Sequence, residues 1–409
     1  MRTLQTRCCI AGGGPAGMML GLLLARAGVQ VTVLEKHADF LRDFRGDTVH
    51  PSTLEVLHEL GLLSAFLQRP HDKAWDLRVS VGGQEATVAD FRRLNARCGF
   101  IAMVPQWEFL DFLRDEAERR PNFRLLLQAR AHALVENGER VTGVQVETAD
   151  GPLEVRAGLV VAADGRHSAL RAAAGLQVQD LGAPIDVLWM RVARHPGDPA
   201  GSGGRIGTGR FVAMIDRGSY WQCAYVIPKG SMEALRARGL PRFRAELAAV
   251  VPFFAGRLEG DLADWDAIKL LSVRVDRLAQ WWKPGVLFIG DAAHAMSPIG
   301  GVGINLAVQD AVAAANILAA PLSDARVTDF GPWLQRVQQR RLWPARVTQA
   351  MQVAAQNRLI NPLLDATQPP RLPWLLKVLQ RFPALQALPA HAIGIGVRPE
   401  HVRSAQQAP

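Results

Sequence analysis

The chain has 409 residues, of which 49% are apolar, and its 47 Lys and Arg against 38 Asp and Glu give a net charge of +9. This length and apolar content exclude a disordered polypeptide and favour two domains with sizeable cores. The basic residues are scattered rather than grouped, which argues against a nucleic-acid partner and is compatible with solubility or with attraction of small anionic ligands.

The four cysteines, at positions 8, 9, 98 and 223, show neither a CxxC motif nor metal-site spacing. We therefore expect no metal and a reducing, cytoplasmic compartment. An apolar run near the N-terminus imitates a secretory signal, but cleavage there would destroy the strand–helix–strand pattern that follows. The apolar run 302–322 is interrupted by Asn305, Gln309 and Asp310, which predicts a buried helix rather than a membrane span.

The N-terminal pattern predicts a βαβ unit, in which a short apolar strand precedes a helix that ends at Gly28. The turn between strand and helix carries Gly12-x-Gly14-x-x-Gly17. There Gly12 permits the tight turn, Gly14 lets a pyrophosphate approach the backbone, and Gly17 allows close helix packing. Glu35 ends the second strand, where a carboxylate accepts hydrogen bonds from a ribose diol. The unit therefore predicts binding of an adenine dinucleotide, FAD or NAD.

A second strand-to-helix turn has the sequence VLFIGDAAHAMSPIGGVGINLA, residues 286–307. Its strand delivers Asp291, which is placed to accept from a ribityl hydroxyl, and Gly300 and Gly301 let the backbone approach a flat ring. The helix that begins near Gly303 would stabilise negative charge on a reduced flavin through its N-terminal dipole. FAD is longer than one half-fold can hold, so one bound FAD explains both turns.

The segment GDAAHAMSPIGGVGINLA resembles the second FAD motif of the para-hydroxybenzoate hydroxylase family, the single-component FAD-dependent aromatic hydroxylases or group A flavoprotein monooxygenases. The segment LVVAADGRHSALR, residues 159–171, resembles the DG motif of that family. With the first glycine turn, the motifs follow one another in order between residues 8 and 318. The resemblance implies that Asp164 supports the FAD pyrophosphate and that His167 and Arg171 lie near NAD(P)H.

The resemblance also implies roles for single residues elsewhere. Arg45 would contact the ribityl-phosphate region, and the alternative is a surface arginine before a helix that Ser52 caps together with Glu55. Gln106 would hydrogen-bond the flavin side chain, and Pro298 would lie beside the isoalloxazine. The full set of expected FAD contacts is Gly12, Gly14, Pro15, Ala16, Gly17, Glu35, Lys36, Arg45, Gln106, Asp164, Asp291, Pro298, Gly301, Gly303, Ile304 and Asn305.

The activity that the resemblance implies uses NAD(P)H to reduce FAD and O₂ to form a flavin C4a-hydroperoxide. This species would hydroxylate a phenolic, quinolone or polyketide-like aromatic compound. His50 and Asp47 are the candidates for a base that deprotonates a phenol, with a helix-capping or surface role as the alternative. Pro298 would shape the face that reacts with oxygen, whereas His294 is expected to pack rather than to react.

We predict an α/β fold with a Rossmann-like FAD-binding domain, an inserted antiparallel β-sheet substrate domain and a C-terminal helical region. The expected boundaries are 1–73, 101–177 and 275–325 for the first, 74–100 and 178–274 for the second, and 326–409 for the third. In the predicted strand SYWQCAYVIP, Tyr220 and Gln222 share one face while Trp221 and Cys223 share the other. Tyr220 and Gln222 are candidates to line the substrate site, but alternation alone does not say which face does so.

The C-terminal region begins with a helical stretch, 330–358, that is basic on one side and is expected to kink at Pro344. The tail 359–399 is rich in Pro, Leu and Trp. We expect it to pack back over the domain interface, with membrane-surface contact as the less favoured alternative. The expected partners are a small aromatic substrate and O₂, and the chain is expected to be a monomer or homodimer.

Two other functions share the same motifs. A flavin-dependent halogenase would carry a WxWxIP motif, but residues 223–228 here read CAYVIP and lack both tryptophans. A non-catalytic FAD-containing binding protein is the other alternative, and it would not oxidise NAD(P)H in response to a substrate.

Overall fold

The computed structural model describes residues 2–41 and 48–404. Its strands are β1 (Arg2–Ala11), β2 (Val31–Leu34), β3 (Thr48–Val49), β4 (Asp72–Ala74), β5 (Asp76–Val81), β6 (Gln84–Asp90), β7 (Ile101–Met103), β8 (Phe123–Leu126), β9 (Ala129–Asn137), β10 (Arg140–Thr148), β11 (Gly151–Ala162), β12 (Val178–Asp180), β13 (Ile185–Ala193), β14 (Gly203–Gly207), β15 (Arg210–Asp216), β16 (Tyr220–Pro228), β17 (Lys269–Leu271), β18 (Asp276–Leu278), β19 (Trp282–Lys283), β20 (Val286–Phe288) and β21 (His294–Ala295). Its α-helices are α1 (Pro15–Arg26), α2 (Pro51–Glu59), α3 (Leu63–Phe66), α4 (Gln106–Glu118), α5 (Ala169–Ala173), α6 (Met232–Ala237), α7 (Leu240–Val250), α8 (Leu258–Asp261), α9 (Gly303–Ser323), α10 (Gly331–Ala355), α11 (Asn361–Leu364), α12 (Trp374–Arg381) and α13 (Ala387–Gly394).

The central sheet has the strand order β19-β20-β11-β1-β2-β8, and β10 and β9 extend it antiparallel from β11. Strands β20, β11, β1, β2 and β8 run parallel. Cys8 and Cys9 of β1 are fully buried free thiols, because a parallel strand is covered on both faces. Gly28 follows α1 with a φ of +81°, as expected for the residue that ends a helix. The Rossmann-like prediction is confirmed.

Helix α9 packs along α1 and α10 in the core of this domain. By length and composition, the stretch Ile299–Ser323, which contains α9, is apolar enough to cross a membrane, but 78% of its most apolar window is buried inside the protein. Asn305, Gln309 and Asp310 are all at most 4% exposed. Such polar groups need hydrogen-bond partners when buried, and each of these three side chains has at least one in another segment of the chain.

The second sheet has the strand order β17-β13-β16-β15-β14-β5-β6. Its strands come from residues 76–90 and 185–271, and the domain division itself remains a prediction. The expected antiparallel pairing holds except between β14 and β5, which are parallel. The sequence pattern also missed α6, α7 and α8, which cover one face of this sheet. Pro241 in the first turn of α7, after Gly239 at φ +85°, was the available sign of a helix start.

Helix α10 contains Pro344. Its backbone is α-helical from Gly331 to Ala355, Pro344 is buried within it, and the kink expected there stays a prediction. Arg341 is 1% exposed and ion-paired, so it does not belong to a solvated basic face. Beyond α13 the chain returns to the central domain, where Asn316 of α9 donates to the carbonyl oxygen of His401 and accepts from the Arg403 N–H. The residues after α13 therefore pack back onto the central domain.

Candidate active site

The carboxyl ends of parallel strands lie side by side at one edge of the central sheet. Ala11 of β1 lies in register with Leu34 of β2 and with Ala162 of β11. Ala162 is in turn in register with Phe288 of β20. The chain leaves each of these strands directly into one of the predicted motifs, or into Glu35. Because open α/β sheets bind ligands at this edge, the motifs form one site.

The first glycine turn has the steric properties that its sequence predicts. Gly12 has a φ of +112°, and a β-carbon there would lie 2.3 Å from the Ala163 carbonyl oxygen. A β-carbon on Gly17 would lie 1.9 Å from the Gly12 carbonyl oxygen, whereas one on Gly14 would meet nothing within 4 Å. Helix α1 begins at Pro15 without a side-chain cap, so its first N–H groups remain for a bound anion.

Glu35 lies directly beside this turn. Its Oε2 accepts a hydrogen bond from the Gly13 N–H at 3.0 Å, and its Oε1 accepts from the His37 N–H at 3.1 Å. These bonds hold the Glu35 carboxylate at the turn that the sequence assigns to the dinucleotide. Lys36 is exposed next to it, and Ala16 is buried in the first turn of α1. Contacts of these residues with the nucleotide remain predictions.

The DG turn follows β11 and leaves one buried acceptor without a partner. Asp164 Oδ2 accepts from the Leu170 N–H at 3.3 Å, while its Oδ1 is buried and has no hydrogen-bond partner among residues 2–41 and 48–404. Burial raises the pKa of Asp164. Ser168 caps α5 by accepting from the Arg171 N–H at 2.9 Å. The turn is thus built by local bonds that leave Asp164 Oδ1 for a donor on a bound molecule.

Arg171 does not present its charge for a nicotinamide cofactor. Its side chain is 8% exposed, Nη1 donates to Asp276 Oδ1 at 3.0 Å, and Nη2 donates to the Arg166 carbonyl oxygen at 3.0 Å. A guanidinium held in a buried ion pair braces the turn, so the expectation that Arg171 binds NAD(P)H is replaced by this structural role. His167 is exposed at the same turn, and its docking role stays a prediction.

The sequence reasoning missed Arg166, which connects the DG turn to the second FAD turn. Arg166 Nη2 lies 3.4 Å from Asp291 Oδ2, and the two side chains are 25% and 31% exposed. Asp291 stands after β20 at the predicted edge of the sheet. The available sign in the sequence was a cation inside the DG motif.

A buried charge network supports the second turn from the side of the protein core. Gly290 has a φ of +58°, and its N–H donates to Asp310 Oδ2 at 3.1 Å. His294 Nε2 lies 2.5 Å from the same oxygen, and Arg341 Nε donates to Asp310 Oδ1 at 2.9 Å. Although burial acts to raise it, the pKa of Asp310 is lowered by His294 and Arg341. His294 therefore supports the turn that presents Asp291, as expected of a packing residue.

The far end of the second turn has the open backbone that a flat ring requires. Gly300 and Gly301 have φ values of +78° and +64°. A β-carbon on Gly303, the first residue of α9, would meet nothing within 4 Å. Ile304 follows it and is buried, and Pro298 precedes the turn and is half-buried. The backbone here is accessible in the same manner as at Gly14.

His50 is placed beside this loop but not as an exposed base. It is fully buried, Nδ1 lies 2.8 Å from the Ile393 carbonyl oxygen, and Nε2 lies 3.3 Å from Thr48 Oγ1. Burial lowers the pKa of His50 to about 4. Thr48 Oγ1 in turn donates to the Gly301 carbonyl oxygen at 3.1 Å. His50 is therefore not an exposed base. Its place beside Thr48 instead gives it a role in positioning the Gly301 turn.

Asn305 connects α9 to α2 through its amide oxygen. Its Oδ1 accepts from Ser52 Oγ at 2.6 Å and from Thr53 Oγ1 at 2.8 Å, while Ser52 Oγ also lies 3.1 Å from the Gly394 carbonyl oxygen. The expected capping box is wrong, because α2 begins at Pro51 and has no side-chain cap. Ser52 instead satisfies a buried amide, so the local pattern was overridden by a tertiary contact.

Gln106 and Arg45 are the remaining expected cofactor contacts. Gln106 is the half-buried first residue of α4. Arg45 and Asp47 lie outside the described residues. In the described part of the chain, no group of three His, Cys, Asp or Glu side chains is arranged to hold a metal ion.

The structure distinguishes the two faces of β16. Trp221, Cys223 and Tyr225 pack under the helices that cover the outer face of the second sheet. Ala224 and Val226 belong to the opposite face, and the cluster that they form is packed against Ile299 of the second FAD turn. The even-numbered face of β16, which carries Tyr220 and Gln222, therefore faces the flavin end of the site.

Two buried N–H donors on this face have no partner among the residues that the structure describes. They are Trp189 Nε1 and Gln222 Nε2. Trp189 lies opposite Ala224 in the β13–β16 ladder, so it shares the face of Gln222. Arg217 Nε donates to Gln222 Oε1 at 3.2 Å, and the Arg191 guanidinium lies 5.0 Å from the Tyr220 ring centroid. The face is thus apolar, with donors and positive charge at one end.

These features fit FAD and define a class of protein. A dinucleotide requires backbone approach at Gly14, and a ring requires it at Gly303. Asp164 Oδ1 adds a buried acceptor that has no partner in the described part of the chain. A second sheet covers the ring end. The fold and the site are those of an FAD-dependent oxidoreductase.

Comparison with known proteins supports this assignment to the FAD-dependent oxidoreductases. Residues 5–349 match the family described as FAD binding domain, and the chain belongs to that family. The 6-methylpretetramide 4-monooxygenase of Streptomyces rimosus is 33% identical over 319 residues, which are 78% of this chain and 76% of that protein. PqsL of Pseudomonas aeruginosa, in complex with 2-aminobenzoylacetate, has a TM-score of 0.74 at 23% identity and covers 88% of this chain and 98% of its own. OxyS anhydrotetracycline hydroxylase from Streptomyces rimosus has a TM-score of 0.74 at 24% identity, covering 96% and 76%.

The solved structures establish the fold, and the family and the curated relative establish the class of enzyme. The protein is an FAD-dependent monooxygenase, a class in which NAD(P)H is the usual reductant. The group A flavoprotein prediction is thereby confirmed, and a halogenase or a non-catalytic binding protein is not favoured.

Proposed function

We propose that this enzyme hydroxylates a small aromatic compound bearing an acidic phenol, enol or carboxylate, of the phenolic, quinolone or polyketide type. The observation that carries the proposal is the even-numbered face of β16. It packs against Ile299 of the second FAD turn, and its donors Trp189 Nε1 and Gln222 Nε2 have no partner within residues 2–41 and 48–404. The relative that acts on 6-methylpretetramide and the hydroxylase that acts on anhydrotetracycline support an aromatic substrate of this kind.

The chemistry of the substrate follows from the groups on this face. Ala224 and Val226 are 7% and 6% exposed and, with the neighbouring Ile299, make this face apolar. An apolar lining suits an aromatic ring. Trp189 Nε1 and Gln222 Nε2 are donors that need acceptors, so oxygen atoms on the ring satisfy them. Arg191 and Arg217, at the same end, favour an anionic oxygen over a neutral one.

The protein contributes position and exclusion of water rather than a side chain that transfers protons at the oxygen. When bound, FAD would supply hydride acceptance from NAD(P)H and activation of O₂ for transfer of one oxygen atom. Gly300 and Gly301 shape the backbone beside its ring, and Thr48 holds the Gly301 carbonyl oxygen. Asp310 fixes Gly290 and with it the position of Asp291. A buried apolar face keeps water from the reacting atoms.

The test is a screen of hydroxybenzoates, quinolones and polycyclic phenols for stimulated NAD(P)H oxidation by the FAD-loaded enzyme, with product mass measured under ¹⁸O₂. We expect at least one class to stimulate oxidation and to gain one labelled oxygen atom. Stimulation without oxygen incorporation, or dependence on added halide, would overturn the proposal.

Matched variants on the two faces of β16 locate the substrate. Gln222→Leu removes a donor from the even-numbered face, so we expect KM for the stimulating compound to rise about tenfold, as for one lost hydrogen bond to a charged group, with FAD content unchanged. Tyr225→Phe removes a hydroxyl from the opposite face of the same strand and serves as the control. Equal effects of both variants on KM would place the substrate elsewhere.

A further inference from the structure

Helix α12 and the residues after it expose apolar side chains in the C-terminal region. Trp374 is 75% exposed, Leu375 51%, Phe382 55% and Leu388 69%. Single exposed apolar residues are common on protein surfaces, but a group of large ones within fifteen consecutive residues is not. We refer to residues 374–388 as the apolar ridge.

The protein covers helix α12 only in part. Leu379 is buried, and Gln380 Nε2 donates to the Thr87 carbonyl oxygen of β6 at 2.9 Å. At 100° per residue, Trp374 lies about 140° around the helix from Leu379, whereas Leu375 and Phe382 lie within about 60° of it. Leu375 and Phe382 nevertheless remain 51% and 55% exposed, so the apolar stripe of α12 extends beyond the surface that the protein covers.

The charged residues of the segment that carries the ridge all have one sign. Between residues 366 and 399 the sequence contains no Asp or Glu, whereas it contains Arg371, Lys377, Arg381 and Arg398. All four cations are exposed. Lys377 and Arg381 lie on the outward side of α12 beside Trp374, where long side chains carry their charge to the rim of an apolar surface.

We propose that the apolar ridge docks on the surface of a lipid bilayer that contains anionic lipids. Exposed Trp and Leu suit the boundary between acyl chains and headgroups, and the surrounding cations suit a negative surface. A second copy of this chain fits less well, because a two-fold contact through the ridge would place like charges opposite one another with no acidic residue of the segment to pair them.

The position of the ridge gives such docking a consequence. The chain that leads to it, including Ile360 and Leu364, packs against the even-numbered face of the second sheet. Helix α12 itself packs on β6, the edge strand of that sheet. Docking through the ridge would therefore bring this edge of the second sheet to the bilayer. The docking proposal stands independently of which substrate is hydroxylated.

The test is flotation of the FAD-loaded, full-length protein with vesicles of phosphatidylcholine alone or mixed with phosphatidylglycerol. We expect binding to the mixed vesicles that weakens as salt is raised. The double substitution Trp374→Ser with Phe382→Ser should lower vesicle partition at least tenfold, and Lys377→Gln with Arg381→Gln should lower it on mixed vesicles only. FAD content and thermal unfolding should stay at the parent values and show that the variants fold.

Trp343→Ser is the matched control, because Trp343 of α10 is 54% exposed but lies outside the ridge. It should bind vesicles as the parent does. Absence of vesicle binding by the parent, or equal loss in the Trp343 variant, overturns the proposal. If the parent instead self-associates, and the double variant is monomeric in light scattering, the ridge covers a second copy and the bilayer proposal fails.

Discussion

The cofactor edge of the central sheet and the even-numbered face of the second sheet are built in different ways. At the cofactor edge, glycine backbone and strand ends form the surface, and Gly14 and Gly303 have open space where a side chain would project. On the second sheet, side chains such as Gln222 and Trp189 form the surface. Under the proposed function, backbone would hold most of the cofactor, whereas side chains would hold the substrate.

The strongest test of this comparison adds one methyl group at each of two glycines of the first turn. Gly17→Ala places a carbon 1.9 Å from the Gly12 carbonyl oxygen, so we expect the apoprotein to lose about 3 kcal/mol of unfolding free energy through overpacking. Gly14→Ala meets open space, so we expect a change below about 0.5 kcal/mol in the apoprotein.

The same pair should separate folding from binding. Gly14→Ala should raise the Kd for FAD at least tenfold, or about 1.4 kcal/mol, because its methyl group occupies the space of the pyrophosphate. Urea unfolding of the apoproteins and FAD titration by flavin fluorescence measure the two effects. A stable Gly17 variant, or a Gly14 variant with parental FAD affinity, would show that the backbone does not define the edge.

A second effect of similar size concerns pH. The pKa of His50 is about 4 in the folded protein and 6.5 as a free side chain, so the unfolded chain binds the proton first as pH falls. The stability due to neutral His50 is therefore complete above pH 6.5, decreases below it and is lost at about pH 4. At 1.36 kcal/mol per unit the loss amounts to about 3 kcal/mol.

Urea unfolding between pH 4 and pH 7 measures this loss, and His50→Gln is the control because it cannot titrate. The variant should show a flatter dependence of unfolding free energy on pH over this interval. Parallel pH profiles for parent and variant would contradict the burial of His50 beside the Gly301 turn.

The extent to which the sequence predicted these regions follows from the same comparison. Gly12, Gly14 and Gly17 act through their own backbone within one turn, so their spacing was sufficient evidence. The face of Gln222 depends on what lies across the sheet, which strand alternation does not contain. Ser52 and His50 were misassigned because their partners, Asn305 and the Ile393 carbonyl oxygen, are distant in sequence. A role that depends on a residue's own backbone can be predicted from the sequence, whereas a contact between residues distant in sequence cannot.

Asp291→Ala sharpens the assignment of the second turn. The substitution removes a half-exposed carboxylate that is placed to accept from a ribityl hydroxyl, so we expect FAD affinity to fall about ten- to a hundredfold, or about 1.4 to 2.7 kcal/mol. Asp150→Ala, at a surface ion pair with Arg2, is the control and should bind FAD as the parent does. Equal affinities in both variants would mean that the second turn does not hold the cofactor.

The smallest expected effect concerns the electron donor, and it rests on the exposed His167 alone now that Arg171 is accounted for. We propose that NAD(P)H docks transiently near His167. His167→Ala should then slow flavin reduction severalfold and raise KM for NAD(P)H, with FAD content and the reaction of the reduced enzyme with O₂ unchanged. Stopped-flow absorbance separates the two half-reactions, and a defect confined to the oxidative one would place His167 elsewhere.

A crystal structure of the enzyme with FAD and an aromatic compound that stimulates NAD(P)H oxidation tests the central claim most directly. We predict that the compound lies between the Pro298–Gly303 turn and the even-numbered face of β16, with an oxygen atom within hydrogen-bond distance of Gln222 Nε2. A compound bound instead in the cavity of about 550 Å³ lined by Tyr225, Ser231 and Glu246, on the opposite side of the strand, would contradict it.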